Sequence, residues 1–358
     1  PPLSDERLCM RIVAWPARKN ADRNPYQKLL YDAVEAESNA TVVEFSLRSA
    51  FREQAPDILH IHWPDAFLAA SQGWKFWPRY AFLRLICLAM RLRGAKLVWT
   101  AHNLQRSGQQ NGDKMASLFW PWFLRRGDGG IFMTRVSAGD AQTHHPDLVR
   151  HPWVVIPHGH YGPVMAAPVQ DVLPDPQTPQ RALFFGAVTH YKNAHQVLKS
   201  FLDLPARTAE LKICGEMSGR EPDTLLTEGL AALPAERAAE VSFDNRFLPE
   251  DELVREIRAA DLVVLPYSNV LNSGAAIFAL SAGRPILASD NPLFRELQDM
   301  VGPEWVTLIP ETLDGPTLSK ALRAARTLRL SRAQPDLSQL SWDSIGRETA
   351  AFYRSLLK

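Results

Sequence analysis

The chain has 358 residues, 46% hydrophobic and 22% charged, a globular balance that excludes a largely disordered protein and, at about 150 residues per domain, implies two domains. Its three cysteines (Cys9, Cys87 and Cys214) are odd in number and scattered, which excludes a disulfide framework or a paired-thiol zinc site and fits a reducing cytoplasm. The net charge of +1 points to no partner by itself, yet residues 74–126 hold ten Lys or Arg against the single acid Asp113, together with five of the ten tryptophans.

In chain order, Leu8–Ala14 has a strand signature and precedes a polar turn, Pro16–Pro25. A helix is predicted over Pro25–Val34, with Pro25 suited to a first turn. Thr41–Phe45 and Asp57–Trp63 are apolar or β-branched runs of strand length. Phe76–Arg93 reads as a long helix, and Lys96–Thr100 as a strand ending at Ala101-His102-Asn103. Gly130–Met133 and Trp153–Ile156 fit further strands, the second ending in Pro157-His158-Gly159-His160. Pro163–Gln180 holds five prolines and few large apolar residues, the profile of an inter-domain linker. A second alternating set follows: strand Arg181–Phe185, helix Asn193–Leu202, strand Leu211–Cys214, helix Asp223–Leu230 and strand Val241–Phe243. It continues with helix Glu250–Ala259, strand Asp261–Leu265, helix Gly274–Ser281 and strand Pro285–Ala288. Trp342–Leu357 reads as an amphipathic helix able to pack back onto the first half.

This alternation implies an α/β protein of two parallel, doubly wound, Rossmann-like domains. The expected bounds are 1–165 with the returning helix 342–358, and 180–340. Ligands of such sheets bind outside the carboxyl ends of the strands, so the expected site is a cleft across which the two domains face each other. No leader opens the sequence, and the longest apolar stretch, near Leu85–Met90, falls far short of the roughly 20 residues that a spanning helix needs. The expectation is a protein that does not cross a membrane.

The most informative stretch is Asp261–Ala288. A buried strand ends at Pro266-Tyr267, a polar loop containing Asn272 follows, and a helix opens at Ser273-Gly274-Ala275. A helix start offers unpaired N–H groups and a positive dipole end, which suits a diphosphate. Gly274 would admit the phosphate to the backbone, and Ser273 can cap the helix or bond an oxygen. The same pattern also describes an ordinary capped helix. In Ala182–Leu198 an apolar strand ends at Gly186, and His190 and Lys192 stand just before a helix. A lysine there can neutralise a diphosphate, or can be a solvated surface charge. Two phosphate-suited loops in one domain favour the ligand reading.

The order of FG–x–YKN, LKICG, FLPEDELVREIRAADLVVLPY and NSG–ALSAGRP resembles the donor-binding domain of GT-B glycosyltransferases. Asn24-Pro25-Tyr26, His62-Trp63-Pro64, His102-Asn103, His158–Tyr161, Tyr191-Lys192, Asn272–Gly274 and Trp342–Gly346 are similar to segments of bacterial polysaccharide mannosyltransferases. Among these is the GDP-mannose-dependent β-mannosyltransferase of xanthan assembly. The resemblance spans nearly the whole chain. It implies a GT-B fold, with a nucleotide-sugar donor, GDP-mannose, held by the second domain at Gly186, His190, Lys192, Tyr267, Asn272, Ser273, Gly274 and Ala275, and touched by His160 where the first domain ends. It implies a lipid-linked saccharide acceptor at the first domain, near Asn24, Tyr26 and Asn103. No bound metal is expected, because the helix dipole and basic side chains offset the leaving diphosphate. The sequence departs from the superfamily in one respect: many retaining members carry two glutamates eight residues apart, where this chain has Val270 and Phe278. That favours inversion or a differently organised sugar pocket. An arginine that commonly follows the glycine of the earlier loop is Ala187 here, leaving His190 and Lys192 to supply the charge.

Inversion needs a general base, for which Asp65 and His102, at strand ends, are the candidates. Each could equally be structural, one as a helix cap and the other as a satisfied histidine. His60 and His62 alternate onto one strand face, but no further ligand for a metal is evident. The basic aromatic stretch reads either as core aromatics with a solvated face or as an interfacial anchor on an anionic inner membrane. The anchor would use Trp74, Phe76, Trp77, Arg79, Tyr80, Arg84, Trp120, Trp122, Arg125 and Arg126. Nucleic acid is disfavoured, since no recognition motif accompanies the aromatics. The reading is a peripheral, inverting mannosyltransferase of polysaccharide assembly. The rivals are another nucleotide sugar, retaining chemistry, or a non-catalytic sugar-binding scaffold.

Overall fold

The predicted strands pair into two separate parallel sheets. A computed structural model of the chain describes residues 9–22, 24–52, 54–69, 73–102, 114–144, 150–165, 173–175, 177–217, 222–268, 270 and 272–358. The chain divides into two compact units, Pro1–Gly159 with Leu340–Lys358, and His160–Gln339.

In the first unit the elements run β1 (Met10–Trp15), α1 (Tyr26–Ala36), β2 (Ala40–Glu44), α2 (Leu47–Ala50), β3 (Ile58–Ile61), α3 (Pro64–Ala69) and α4 (Phe76–Leu92). They continue with β4 (Lys96–Ala101), α5 (Trp120–Arg126), β5 (Gly129–Phe132), α6 (Arg135–His144) and β6 (Trp153–Val155). The sheet order is β2-β1-β3-β4-β5-β6, with every pairing parallel. β1 therefore feeds strands on both sides, and the order reverses between β1 and β3. The four residues of β3 are all buried, as a central parallel strand requires.

The second unit holds β7 (Gln180–Phe185), α7 (Ala194–Leu202), β8 (Ala209–Cys214), α8 (Thr224–Ala231), β9 (Val241–Asp244) and α9 (Glu250–Ala259). It continues with β10 (Leu262–Leu265), α10 (Gly274–Ser281), β11 (Ile286–Ser289), α11 (Pro292–Val301), β12 (Val306–Ile309) and α12 (Gly315–Leu330). The order β12-β11-β10-β7-β8-β9 is that of a dinucleotide-binding sheet, with its switch point between β7 and β10. α9 starts with Glu250, Asp251 and Glu252 and ends with Arg258, charges that complement the helix dipole. Asp261, fully buried before β10, is held by Arg326 at 2.8 Å and Arg329 at 3.1 Å from α12. Removing both arginines would strand a buried charge.

The last helix, α13 (Trp342–Leu356), belongs to the first unit and lies along α1. Gly346 allows the contact, because a Cβ there would stand 2.6 Å from the Ala33 backbone. Gly159 serves likewise beneath Trp342, whose ring lies 2.4 Å from where a Cβ would project. The predicted linker begins with residues 163–165, which fold in the second unit near Tyr161, whose N–H donates to Ser281 Oγ at 2.8 Å. Part of the linker, 166–172 and 176, lies outside the described residues.

Candidate active site

In the second unit, both loops singled out in the sequence emerge at the β7/β10 switch point. β7 ends at Gly186, whose φ of +103° suits only glycine without strain. Its N–H donates to the Cys214 carbonyl at 3.0 Å, and a Cβ on Gly215 would meet the Gly186 oxygen at 1.9 Å. The two turns thus approach backbone to backbone. Over Gly186 lies Lys192, its Nζ 3.2 Å from where a Cβ would project. The ammonium also sits 5.1 Å from the Tyr267 ring centroid. It has no carboxylate partner among the described residues, and burial pulls it down to about 8. Asn193, left-handed at φ 56°, donates its side-chain N–H to the Pro266 carbonyl at 2.7 Å. Ser268 bonds the Tyr191 carbonyl through both N–H (2.9 Å) and hydroxyl (3.0 Å). These bonds clamp the two loops together.

Tyr267 is buried, and its hydroxyl has no hydrogen-bond partner among the described residues. Ser273 caps α10 by accepting from the Ala276 N–H at 3.2 Å, while Gly274 and Ala275 form the open first turn. A Cβ on Gly274 would approach the Tyr161 hydroxyl at 3.2 Å. Asn272 immediately precedes this cap. Phe278, standing where retaining relatives would place a glutamate, packs its ring 4.9 Å from that of Tyr161. His160 accepts from the Gly162 N–H at 3.1 Å.

His190 is not a partner of Lys192 but stacks on His195, with ring centroids 5.7 Å apart. His195 Nδ1 lies 2.9 Å from the fully buried Asp223 carboxylate, which also accepts from the backbone N–H groups of His195 and Leu226. Among the described residues, His190, His195 and Asp223 are a group of ligand-bearing side chains close enough for a metal, their atoms lying within 4.8 Å of one another. No local spacing in the sequence marks this group, since His195 and Asp223 are 28 residues apart.

In the first unit the chemistry gathers at the ends of β3 and β4. His60 and His62 project to one face, as their alternation predicts, and both are fully buried. Tyr31 of α1 lies 2.9 Å from His60 Nδ1 and 2.6 Å from His62 Nε2. Tyr353 of α13 approaches His60 Nδ1 at 2.6 Å, and Thr100 of β4 approaches its Nε2 at 2.8 Å. His62 Nδ1 in turn meets His102 Nε2 at 2.9 Å, and the His102 ring stacks on Trp63 with centroids 4.3 Å apart. Burial holds His60 at about 3, His158 at about 4, and His62 well below its ordinary value. His102 is thus the half-exposed end of a buried, neutral chain.

Tyr26, expected on the acceptor side, is buried and backs the rings of His102 (5.4 Å) and His158 (4.6 Å) rather than facing outward. Asn24 accepts from the Tyr26 N–H at 3.1 Å and so shapes the start of α1. Asp65 stands in the first turn of α3, but its side chain lies outside the described residues, as does Asn103. Tyr31, Thr100 and Tyr353 carry no local signal: Tyr353 is 293 residues from His60.

The basic aromatic stretch splits into two sets. Trp74, Trp77, Arg84, Arg125 and Arg126 are exposed and Trp122 is half-buried, with Arg84 over its ring at 5.4 Å. Trp120, Phe76 and Tyr80 are core residues and cannot anchor anything. Trp120 packs on Trp99 at 5.2 Å, and Phe76 stacks on Tyr80 at 5.6 Å. Arg79 turns back to donate to the Phe67 carbonyl at 2.9 Å. Among the described residues, no helix is long and apolar enough to cross a membrane.

Comparison with known proteins places this geometry in context. Residues 179–322, which include both loops of the second unit, match the family model described as glycosyl transferases group 1. GDP-mannose:glycolipid 4-beta-D-mannosyltransferase of Xanthomonas campestris pv. campestris is 32% identical over 342 residues, covering 95% of this chain and 90% of that protein. Sucrose-phosphate synthase from Thermosynechococcus elongatus superposes with a TM-score of 0.67 at 15% identity, over 97% of this chain and 99% of that one. An α,α-trehalose-phosphate synthase (UDP-forming) from Burkholderia xenovorans, in complex with glucose-6-phosphate, gives 0.64 at 10% identity, over 97% and 99%. Two doubly wound units with these neighbours define the GT-B fold. With that fold, identity sustained along nearly two whole chains places this protein in the glycosyltransferase family of the glycolipid mannosyltransferases, with the group 1 match confined to its second unit.

Proposed function

We propose that this enzyme transfers mannose from GDP-mannose, with inversion, to a lipid-linked saccharide in polysaccharide assembly at the inner face of the membrane. The observation carrying this reading is the 32% identity along 95% of the chain to an enzyme named for that donor and a glycolipid acceptor. The switch-point loops support it. Lys192 and the first turn of α10 would hold the diphosphate, adding an ammonium and a helix dipole to the charge that develops on the leaving group. Tyr267 and Asn272 would lie near the sugar, and the neighbourhood of Asp244–Leu248 near the base. The apolar Phe278 in place of a glutamate favours inversion. His102, half-exposed at the end of β4, would take the acceptor proton, and Trp74, Trp77 and the outer arginines would dock on anionic lipid.

A thermal-shift panel of GDP, UDP, ADP, dTDP and CMP tests the donor. A ligand at 100 times its dissociation constant stabilises the native state by about 2.7 kcal/mol. A response to GDP alone is expected. A response to UDP would replace the donor, and silence across the panel would favour a non-catalytic scaffold. The product anomer, read by NMR, tests the stereochemistry: a β-mannoside from the α-linked donor requires inversion.

A further inference from the structure

Along α4, Trp77, Ala81, Arg84, Leu88 and Arg91 recur every three or four residues and form one stripe of the helix. Trp122 and Arg126, four residues apart on α5, line a groove of about 660 Å³ together with that stripe. From Trp77 to Arg91 the groove runs about 21 Å, at a helical rise of about 1.5 Å per residue. Its floor includes Tyr80 and Cys87, both buried. The Tyr80 hydroxyl donates to the Leu118 carbonyl at 3.3 Å, and burial pushes the Cys87 thiol up to about 12, so the floor is neutral. The residues lining the groove include three arginines and no acid.

The Arg84 guanidinium lies 5.5 Å from the Tyr80 ring centroid and 5.4 Å from that of Trp122, with no carboxylate partner among the described residues. Arg126 is exposed at the end of α5, and Lys114 adds a cation 5.8 Å from the Trp77 ring centroid. Only Arg91 is paired, with Asp128 at 2.7 Å. The occupant this surface fits is therefore apolar along its length and anionic at its head. Ten lining residues are the scale of a small-molecule site, whereas a stable protein interface takes roughly 20–30 residues a side. A long trough between two helices has the shape of one extended chain. At its mouth Trp74 and Trp77 are exposed, rings of the kind that settle at a membrane interface.

We propose that the groove between α4 and α5 binds one molecule of anionic phospholipid drawn from the bilayer, its phosphate between Arg84 and Arg126 and one acyl chain running along Ala81 towards Trp77. The inference rests on the reading of this face as the one that meets the membrane, and it adds a site to that reading. Docking through exposed tryptophans needs no groove and selects no single lipid, whereas the groove takes one and selects its head. The guanidinium of Arg84 is already spread on two rings, and its N–H groups can bond a phosphate without giving up that stack. An acyl chain covers the exposed Ala81 and Leu88, apolar surface that is costly in water.

The test titrates the full chain calorimetrically with dioctanoylphosphatidylglycerol below its micelle concentration, so that no bilayer is present. One saturable site is expected, with dioctanoylphosphatidylcholine, alike in its chains but neutral overall, about tenfold weaker or more. Glycerophosphoglycerol, which is the head without chains, should not bind. Ala81→Trp, at an exposed position, fills the groove and should weaken the phosphatidylglycerol about tenfold or more, while co-sedimentation with anionic vesicles is undiminished because a ring has been added. Arg84→Gln should narrow the preference for the anionic head. Equal affinity for the two heads, or wild-type lipid binding in a folded Ala81→Trp protein, would overturn the proposal. Should Ala81→Trp fail to fold, the comparison of heads in the wild type still decides. Wild-type protein that sediments with vesicles but takes up no soluble lipid would overturn the groove alone and leave it to the acceptor's own chain or to a protein helix. Protein that takes up the soluble lipid yet ignores vesicles would uphold the groove and overturn the docking reading.

Discussion

The ammonium of Lys192 lies over the ring of Tyr267, 5.1 Å from its centroid, with the glycine turn of β7 beneath it. Burial lowers the lysine to about 8, from an ordinary 10.5. A bound diphosphate supplies the missing counter-charge and favours the protonated form. The sign follows: the cation is present below pH 8 and lost above it, so GDP binding holds at neutral pH and weakens by up to tenfold per unit beyond about 8. Calorimetric titration of GDP across this range should show that bend. Lys192→Met should weaken binding roughly 10- to 150-fold, the value of one charged hydrogen bond, and flatten the profile. Unchanged affinity in that variant would mean that the diphosphate sits elsewhere.

Gly215 and Gly186 touch backbone to backbone, and Gly215 holds φ at +146°. Alanine at 215 would place a Cβ 1.9 Å from a carbonyl oxygen that cannot retreat without dragging the turn at Gly186. Gly215→Ala should therefore cost about 2–4 kcal/mol and weaken GDP binding, although residue 215 carries no side chain of its own. Thermal denaturation with and without GDP checks both effects. A variant as stable as the wild type would show that the turns can separate.

The β-strands and the donor loops were legible because parallel strands are short apolar runs and because glycine, lysine and a capped helix mark the loops locally. The helices within 292–330 open on cap signals in the sequence, Asn291-Pro292 and Asp314-Gly315-Pro316: Asn291 caps at 3.0 Å and Asp314 at 2.8 Å. The histidine alternation at 60 and 62 was visible, but its meaning was not. Its tyrosines come from α1 and α13, which the fold brings together through a glycine at 346. Likewise Trp74 and Trp120 read alike in sequence, and only packing separates the exposed ring from the core one.

The His190, His195 and Asp223 group raises the question of a metal beside the donor loop. The Asp223 carboxylate already accepts from the His195 ring and from two backbone N–H groups, so a cation would have to displace bonds that cap α8. Lys192 and the α10 dipole supply positive charge without one. Transfer should accordingly survive exhaustive chelation and gain nothing from added magnesium or manganese. Loss of activity on chelation, restored by a divalent cation and abolished in His190→Ala, would make this cluster a metal site.

The outer face of α4 presents Leu85 at 64% exposure and Leu92 at 80%, with Trp77 at 52% and Trp74 just before it at 70%. Large apolar groups in this density are costly in water. Between them runs a groove of about 660 Å³ bounded by Trp77, Tyr80, Arg84, Leu88, Arg91 and Trp122. Arg91 is already paired with Asp128 at 2.7 Å, whereas Arg84 rests on Tyr80 and Trp122, and Arg125 and Arg126 stand exposed at the end of α5. Rings that enter a headgroup layer beside arginines that meet lipid phosphate make two contributions, and these separate experimentally. Trp74→Ser with Trp77→Ser should lower binding to anionic vesicles at least tenfold at any salt concentration. Arg84→Gln with Arg125→Gln should lower it by a similar factor at low salt and much less at high salt, since each basic charge contributes about 1 kcal/mol and is screened. Both variants should keep GDP affinity, because these residues lie in the first unit and the donor loops in the second. Vesicle co-sedimentation that is indifferent to all four substitutions would leave this face to some other partner.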